Sequence, residues 1–227
     1  MSSCPAEPPG RARPSAWPTL CASALILGAG LWAAHSVTQG WRSWTSEDAR
    51  RNQAAATGLA LPDMPLLLED GSPAQLHALL RQGPTVLMLI YTRCNSVCRV
   101  GGSDFALLQS QLQAASPTAI GGSAAPPTRL RLLQLSFDTQ ADRPAALRAW
   151  AQQQRADPKH WRVGVPQNSA DAQALLRTLQ VQVLPDGQGG YEHDAAFLMV
   201  DTQARVRRVL DLSAVADALA WGRWLQP

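Results

Sequence analysis

One unbroken apolar run, residues 85–91 (Thr-Val-Leu-Met-Leu-Ile-Tyr), constrains the fold of this chain more than any other feature. Its length suits a β-strand, and its lack of polar alternation indicates burial on both faces of a sheet. Cys94 and Cys98 follow the run directly, and residues 105–112 then show the apolar spacing of a helix. Because α/β sheets place their sites at the carboxyl ends of strands, the cysteines stand where a site is expected.

The rest of the pattern extends this strand–loop–helix unit into an α/β domain. The other predicted strands are 65–71, 130–136, 161–165, and a hairpin of 191–200 and 205–211. The other predicted helices are 74–81, 143–154 (with Asp142 as N-cap), 170–179 and 215–225. Residues 114–128, rich in Ala, Ser, Gly and Pro, predict a loop. This order fits an α/β sandwich of the thioredoxin type, a central mixed sheet flanked by helices.

The N-terminal part predicts a membrane segment. No charged side chain lies between Arg13 and Arg42, and a helix over 17–37 would be about 30 Å long, like a bilayer core. Basic residues precede the segment, so the positive-inside rule puts the N-terminus in the cytoplasm. A cleaved signal peptide is the alternative, although no small-x-small cleavage site stands out. Both interpretations send the later residues across the membrane.

The predicted segments are a cytoplasmic tail (1–16), a transmembrane anchor or uncleaved signal (17–37), a juxtamembrane linker (38–60) and a thioredoxin-like domain (61–227). The chain is then a single-pass protein of the inner (cytoplasmic) membrane, with its domain on the periplasmic or equivalent outer side. That side is normally oxidising. Of the 4 cysteines, Cys4 lies in the tail and Cys21 in the apolar segment, so only Cys94 and Cys98 cross.

Composition and charge narrow the function. The net charge is +3 and Lys159 is the single lysine, so no concentrated basic face is available and nucleic acid is not an expected partner. A domain of about 170 residues can bury its own core. A metal or a disulfide in it would therefore serve chemistry rather than hold the fold together.

Cys94 and Cys98 are spaced for two kinds of chemistry. Residues four apart at a helix start lie on one face, about 6 Å apart, which permits a disulfide. The same thiolates can chelate one soft ion, copper or zinc. With one imidazole added, the ligand set suits copper better than tetrahedral structural zinc. A purely structural disulfide is a weaker alternative, because so short a loop gains little from closure.

Three histidines follow the apolar segment: His77, His160 and His193. The sequence neighbours of His77 and His160 indicate ordinary surface groups. His193 stands between Glu192 and Asp194 at the start of a predicted strand, beside acidic groups that could orient an imidazole. Spacing alone does not bring it to the cysteines.

Three blocks resemble the Sco/SenC family of copper chaperones for cytochrome oxidase assembly, over roughly residues 62–212. Residues 91–98 (Tyr-Thr-Arg-Cys-Asn-Ser-Val-Cys) resemble its Tyr-Thr-x-Cys-x-x-x-Cys-Pro element. Residues 136–142 (Ser-Phe-Asp-Thr-Gln-Ala-Asp) resemble Ser-x-Asp-Pro-x-x-Asp. Residues 193–201 (His-Asp-Ala-Ala-Phe-Leu-Met-Val-Asp) resemble His-x-x-x-x-Tyr-Leu-x-Asp.

The resemblance implies that Cys94, Cys98 and His193 converge on one copper ion, Cu(I) or Cu(II). It implies a partner as well, the copper-bearing subunit of a cytochrome oxidase or another copper protein. Asp138 and Asp142 are expected either to support the cysteine loop or to cap turns and the next helix.

The chain also departs from the family pattern. Arg99 replaces the proline, and a guanidinium there is expected to lower the pKa of Cys98. Thr139 and Phe197 replace a proline and a tyrosine, and two glycines after Arg99 weaken a helix start by about 1 kcal/mol each. These differences indicate a divergent member.

Three functions compete at this point. The first is a metallochaperone that binds copper and delivers it. The second is a thiol–disulfide reductase in which Cys94 and Cys98 form a redox pair that keeps a partner's copper-ligand cysteines reduced. The third and weakest is a peroxidase. Enzymatic activity stays an open question, and if present it would be thiol–disulfide exchange.

Overall fold

The computed structural model describes residues 17–38, 40–41, 43–94, 97–114 and 130–224. The chain divides into two units, Met1–Ala49 and Arg50–Pro227. In the first unit, helix α1 (Trp17–Val37) is long and apolar enough to cross a membrane, judged by length and composition alone. Its side chains are not buried in protein, which agrees with the predicted membrane segment but suits a signal sequence equally. The division into four segments stays a prediction.

The secondary structure alternates helices and strands along most of the second unit. The helices after α1 are α2 (Ser46–Ala56), α3 (Leu76–Leu80), α4 (Val97–Ala114), α5 (Pro144–Gln154), α6 (Ser169–Leu179) and α7 (Val215–Trp224). The strands are β1 (Leu59–Ala60), β2 (Pro65–Leu68), β3 (Pro73–Gln75), β4 (Thr85–Ile90), β5 (Arg131–Ser136), β6 (Trp161–Pro166), β7 (Val183–Pro185), β8 (Tyr191–His193), β9 (Phe197–Val200) and β10 (Arg205–Leu210).

Among the described residues, eight strands form one mixed sheet in the order β1-β10-β9-β4-β5-β6-β2-β3. Strands β4, β5 and β6 run parallel, and the other neighbours pair antiparallel. All six residues of β4 are buried, as its continuous apolar sequence predicts. Because β4 lies between β9 and β5, its carboxyl end opens at the middle of the sheet.

Helix α4 follows β4 after a short loop and begins earlier than the apolar spacing predicts. It runs through Gly101 and Gly102, although glycine weakens a helix. Close packing explains both residues. A Cβ at Gly101 would lie 2.3 Å from Met88 Cε in β4, and one at Gly102 would lie 2.5 Å from Gln154 Oε1 in α5. The glycines let α4 approach the sheet and its neighbouring helix.

Several boundaries differ from the predicted ones. The predicted strand 191–200 is two strands, of which β9 pairs with β10 as the expected hairpin, while β8 pairs with β7 in a separate two-stranded sheet. The β7 strand was not predicted, since it is short and ends in a proline. The predicted helix 74–81 begins as β3 and becomes helical only at Leu76. Of the predicted loop 114–128, residues 115–128 lie outside the described residues.

Candidate metal centre

The two cysteines lie where the central strand gives way to α4. After Tyr91 the chain turns, and the Cys94 amide N–H donates to the Tyr91 carbonyl oxygen at 3.1 Å. Cys98 lies in the first turn of α4, and its amide N–H donates to Cys94 Sγ at 3.3 Å. Both side chains are buried, and in this structure both are thiols rather than halves of a disulfide. The spacing therefore brings two sulfur atoms together, as predicted, and the fold buries both of them.

His193 reaches this pair from the end of β8. Its Nε2 lies 3.7 Å from Cys98 Sγ, and its Nδ1 lies 3.2 Å from the carbonyl oxygen of Asp194. In the tautomer that donates from Nδ1, the lone pair of Nε2 points toward the cysteines. A backbone carbonyl therefore orients the imidazole, where the sequence suggested an acidic side chain.

Two sulfurs and one imidazole nitrogen can hold one ion here. The ligand atoms of Cys94, Cys98 and His193 all lie within 4.8 Å of one another. Three donors about 2.2 Å from a shared ion are separated by roughly 3.8 Å, close to the Sγ–Nε2 distance of 3.7 Å. Soft thiolates with an imidazole favour Cu(I) or Zn(II) over hard cations such as Mg²⁺ or Ca²⁺. The donor set and its spacing thus fit a small, soft metal ion.

The electrostatics of Cys98 differ from the expectation based on Arg99. The hydrogen bond with the Cys94 side chain and burial raise the pKa of the Cys98 thiol well above its usual value. The Arg99 side chain is exposed, and the pKa of Cys98 is raised where the sequence predicted that Arg99 would lower it. Because metal binds thiolate, an ion entering this centre must displace the thiol proton.

A buried carboxylate holds the loop before Cys94. Asp142 is 1% exposed and accepts hydrogen bonds from the Thr92 amide N–H at 2.8 Å and from the Thr92 hydroxyl at 2.6 Å. It also accepts one from the Ser136 hydroxyl at 2.6 Å. The N-cap of α5 is Arg143 rather than Asp142. Of the two roles proposed for Asp142, the structure therefore shows support of the cysteine loop.

Asp138 serves both proposed roles. It accepts from the Arg93 guanidinium at 2.8 Å, which ties it to the residue before Cys94. It also accepts from the Ala141 amide N–H at 3.1 Å, which closes the turn that leads into α5. Because Asp138 is 6% exposed while the Arg93 side chain is 53% exposed, this ion pair lies at the rim of the centre.

Aromatic rings pack against His193. The Phe137 ring centroid lies 5.1 Å from the imidazole and the Tyr91 centroid lies 6.1 Å from it, both edge-on. Tyr191 packs against both of those rings. Burial raises the pKa of Tyr91, so its hydroxyl stays protonated at neutral pH.

An open polar groove of about 630 Å³ lies beside the centre. Its walls come from the start of the cysteine loop, Tyr91 and Arg93, and from the β7–β8 hairpin, including Asp186 and Glu192. Hydrogen bonds from the Gln188 and Gly190 amides hold the pKa of Asp186 below its usual range, so it is charged at neutral pH. The centre therefore borders a surface that carries both signs of charge.

The other histidines and cysteines lie elsewhere. His77 is engaged with the Leu61 carbonyl oxygen at 2.8 Å, and His160 is half-buried beside β6. Cys21 lies in α1, and Cys4 falls outside the described residues. Within the part of the chain that the structure describes, Cys94, Cys98 and His193 are the group with metal-ligand geometry.

The sequence did not reveal the roles of Tyr91, Thr92, Ser136 and Phe137. All four belong to the blocks that carried the resemblance, and that membership was the available signal. Thr92 and Tyr91 bond to residues 50 and 100 positions away along the chain, so no local pattern assigns them a contact. Ser136 bonds to Asp138 and Asp142 within its own block, but the sequence does not show those bonds.

Comparison with known proteins identifies the fold. The family model described as SCO1/SenC matches residues 66–221. A SCO1/SenC family lipoprotein from Bacillus anthracis aligns with a TM-score of 0.62 at 19% identity, covering 74% of this chain and 96% of that one. ScoI from Bradyrhizobium japonicum, solved with copper bound, aligns with a TM-score of 0.57 at 19% identity, covering 74% and 99%.

A third structure with a similar fold is named as a peroxidoxin. Peroxidoxin BcpB from Mycobacterium tuberculosis aligns with a TM-score of 0.52 at 20% identity, covering 75% of this chain and 98% of that one. No curated protein matches this chain. Together the neighbours confirm the predicted thioredoxin-like α/β fold, and at such identities they indicate the fold alone.

Proposed function

Because this chain belongs to the SCO1/SenC family, we propose that it is a metallochaperone that holds copper through Cys94, Cys98 and His193 and passes it to a partner. The observation that carries this proposal is the convergence of three soft or borderline donor atoms within 4.8 Å. The two cysteines are four residues apart and meet locally, whereas His193 lies 95 residues after Cys98, so its convergence with them is a product of the tertiary fold.

The donor set supports copper over a structural zinc ion. A structural zinc site is closed by four ligands. Among the described residues this centre offers three, a number that Cu(I) accepts and that leaves room for an incoming ligand. Delivery requires such room, because the receiving protein must bind the ion before the donor releases it.

The proposed recipient is the copper-bearing subunit of a cytochrome oxidase or another copper protein. The polar groove beside Arg93 and Asp186 gives a receiving loop access to the rim of the centre. Helix α1 would anchor the chain once in the inner membrane, with the domain on the periplasmic or equivalent outer side. A copper site assembled on that side would then lie within reach.

Thiol–disulfide exchange is the second candidate function, and the contact of Cys98 with Cys94 favours it. One thiolate would attack a partner's disulfide and form a mixed disulfide, releasing one partner thiol. The second thiolate would then attack the mixed disulfide, leaving the Cys94–Cys98 bond and a second partner thiol. Two electrons pass to the partner, and this sequence does not require His193.

The decisive test is an anaerobic Cu(I) titration of the reduced full-length protein in detergent. Wild type, Cys94→Ser, His193→Ala and the matched control His160→Ala would be titrated against a competing chelator. We expect one tightly held copper per chain in wild type and in His160→Ala. Retention should fall at least tenfold in Cys94→Ser and His193→Ala, because each loses a donor.

Disulfide exchange measured on the same proteins separates the two functions. We expect His193→Ala to reduce a model disulfide at close to the wild-type rate, since exchange uses only the cysteines. Wild type that holds no copper but reduces disulfides readily would reject delivery in favour of the reductase. Equal loss of both activities in His193→Ala would contradict the assigned role of the imidazole.

A further inference from the structure

The hairpin that carries His193 stands apart from the main sheet. Among the described residues, β7 and β8 pair only with each other. Two-stranded ribbons are marginally stable by themselves in water. The position of His193 therefore depends on the other contacts that hold this hairpin to the domain.

Tyr91 makes such a contact with the backbone of Tyr191. Its hydroxyl donates to the Tyr191 carbonyl oxygen at 3.0 Å and accepts from the Tyr191 amide N–H at 3.1 Å. The Asp186 amide N–H donates to the Gly190 carbonyl oxygen, in the residue pair next to Pro185–Tyr191 on the side of the turn. Because hydrogen-bonded and non-hydrogen-bonded pairs alternate between antiparallel strands, Tyr191 and Pro185 form a non-hydrogen-bonded pair. The polar backbone atoms of Tyr191 therefore point away from β7. The hydroxyl takes the place that a neighbouring strand would occupy.

This contact lies next to the candidate metal centre. Tyr191 and His193 share a face of β8, because side chains alternate along a strand. Tyr91 touches both rings, with centroids 5.3 Å from Tyr191 and 6.1 Å from His193. The same tyrosine stands three residues before Cys94, so one short segment both leads to the cysteines and holds the histidine strand.

We propose that Tyr91 is a positioning residue whose hydroxyl holds β8 so that His193 reaches the two cysteines. The inference rests on the proposed copper-binding function and deepens it by assigning what fixes the third donor. Removing the hydroxyl keeps the ring packing but releases the Tyr191 backbone. The imidazole then samples positions in which Nε2 no longer lies near Cys98 Sγ.

The first test needs no metal. Amide hydrogen exchange of residues 189–193 would be measured in the full-length protein in detergent, for wild type, Tyr91→Phe and Thr85→Val. The control removes another buried hydroxyl, one that donates to the Gly83 carbonyl at the opposite end of β4. We expect exchange at the Tyr191 amide to rise about tenfold in Tyr91→Phe and to stay at the wild-type rate in Thr85→Val. Unchanged exchange in Tyr91→Phe, or an equal rise in β5, would overturn the proposal.

The second test uses copper itself. Chelator competition should show about tenfold weaker Cu(I) binding in Tyr91→Phe than in wild type, with Thr85→Val unchanged. The Cu(II) absorption and EPR spectra of Tyr91→Phe should also show weaker nitrogen coordination. Wild-type affinity and spectra in Tyr91→Phe would overturn the positioning role. If wild type binds no copper, the proposed function fails, while the exchange measurement still decides what Tyr91 holds.

Discussion

At the residue scale, the centre depends on polar groups other than the three candidate ligands. Asp142 is buried and accepts three hydrogen bonds, two of them from Thr92 in the cysteine loop. A buried carboxylate is tolerated only when its oxygens are satisfied in this way. Thr92 and Ser136 are therefore as much a part of the centre's architecture as the cysteines.

Replacing Asp142 should be costly for this reason. We expect Asp142→Ala to lower the free energy of unfolding by about 2–4 kcal/mol, because donors in Thr92 and Ser136 lose their acceptor. The matched control is Asp211→Ala, which removes a 79% exposed carboxylate paired with Arg51 and should cost under about 1 kcal/mol. Urea unfolding of both variants measures the difference. Equal costs would mean that the carboxylate does not hold the loop.

The residues of the centre were predictable only in part. Cys94 and Cys98 follow a recognisable buried strand, so their spacing and position indicated a site without any structure. His193 entered through the resemblance, because 95 residues separate it from Cys98. The pKa of Cys98 was predicted in the wrong direction, since proximity in sequence to Arg99 says nothing of where that side chain points.

At the element scale, α4 packs closely against its surroundings at two adjacent glycines. Met88 is fully buried beneath Gly101. Gln154 beside Gly102 is half-buried, and the atoms that approach Gly102 are the far end of its flexible side chain. The two adjacent glycines therefore differ in what limits their size. Replacing glycine by alanine changes the helix propensity by the same amount at both positions. The difference in stability between the two variants therefore reports the packing contribution.

Alanine at these two positions should give opposite results. Gly102→Ala is expected to leave stability unchanged or to raise it by up to about 1 kcal/mol, because Gln154 can turn away. Gly101→Ala should destabilise by about 1–3 kcal/mol, because a Cβ 2.3 Å from Met88 Cε overpacks the core. Thermal and urea unfolding check both variants. Wild-type stability in Gly101→Ala would show that Met88 repacks freely.

Long elements with a clear period were predictable, and short ones were not. The continuous run of β4 and the spacing of α5 and α6 identify those elements from the sequence. The β7–β8 hairpin is invisible in the same pattern, because each strand has three residues and its pairing is set by tertiary contacts. The missed hairpin is also the one that brings in His193.

At the scale of the whole molecule, the fold alone does not decide the function. The thioredoxin-like architecture is shared with a copper-bound ScoI and with a peroxidoxin, at similar TM-scores of 0.57 and 0.52. The feature of this chain that bears on function is the local combination of two cysteines with an imidazole 3.7 Å from one of them. Function is therefore best tested at the centre, and location at the N-terminus.

The location follows from α1 if that helix stays in the mature chain. Its sequence carries no charge and is long enough to span a bilayer core, and basic residues precede it. We expect the full chain, expressed in a bacterium with a C-terminal tag, to remain in the membrane pellet after a carbonate wash. Protease added to spheroplasts should then digest the tagged domain.

The matched control begins at Thr45 and should stay in the cytoplasm, protected from protease. A shorter, soluble product outside the inner membrane would mean that α1 is a cleaved signal, and an anchored but protected domain would mean that the orientation is reversed. A cleaved signal would remove the anchor that keeps the domain at the membrane, and a reversed orientation would place the domain on the opposite face from the proposed partner. This experiment therefore constrains the choice of partner as well as the topology.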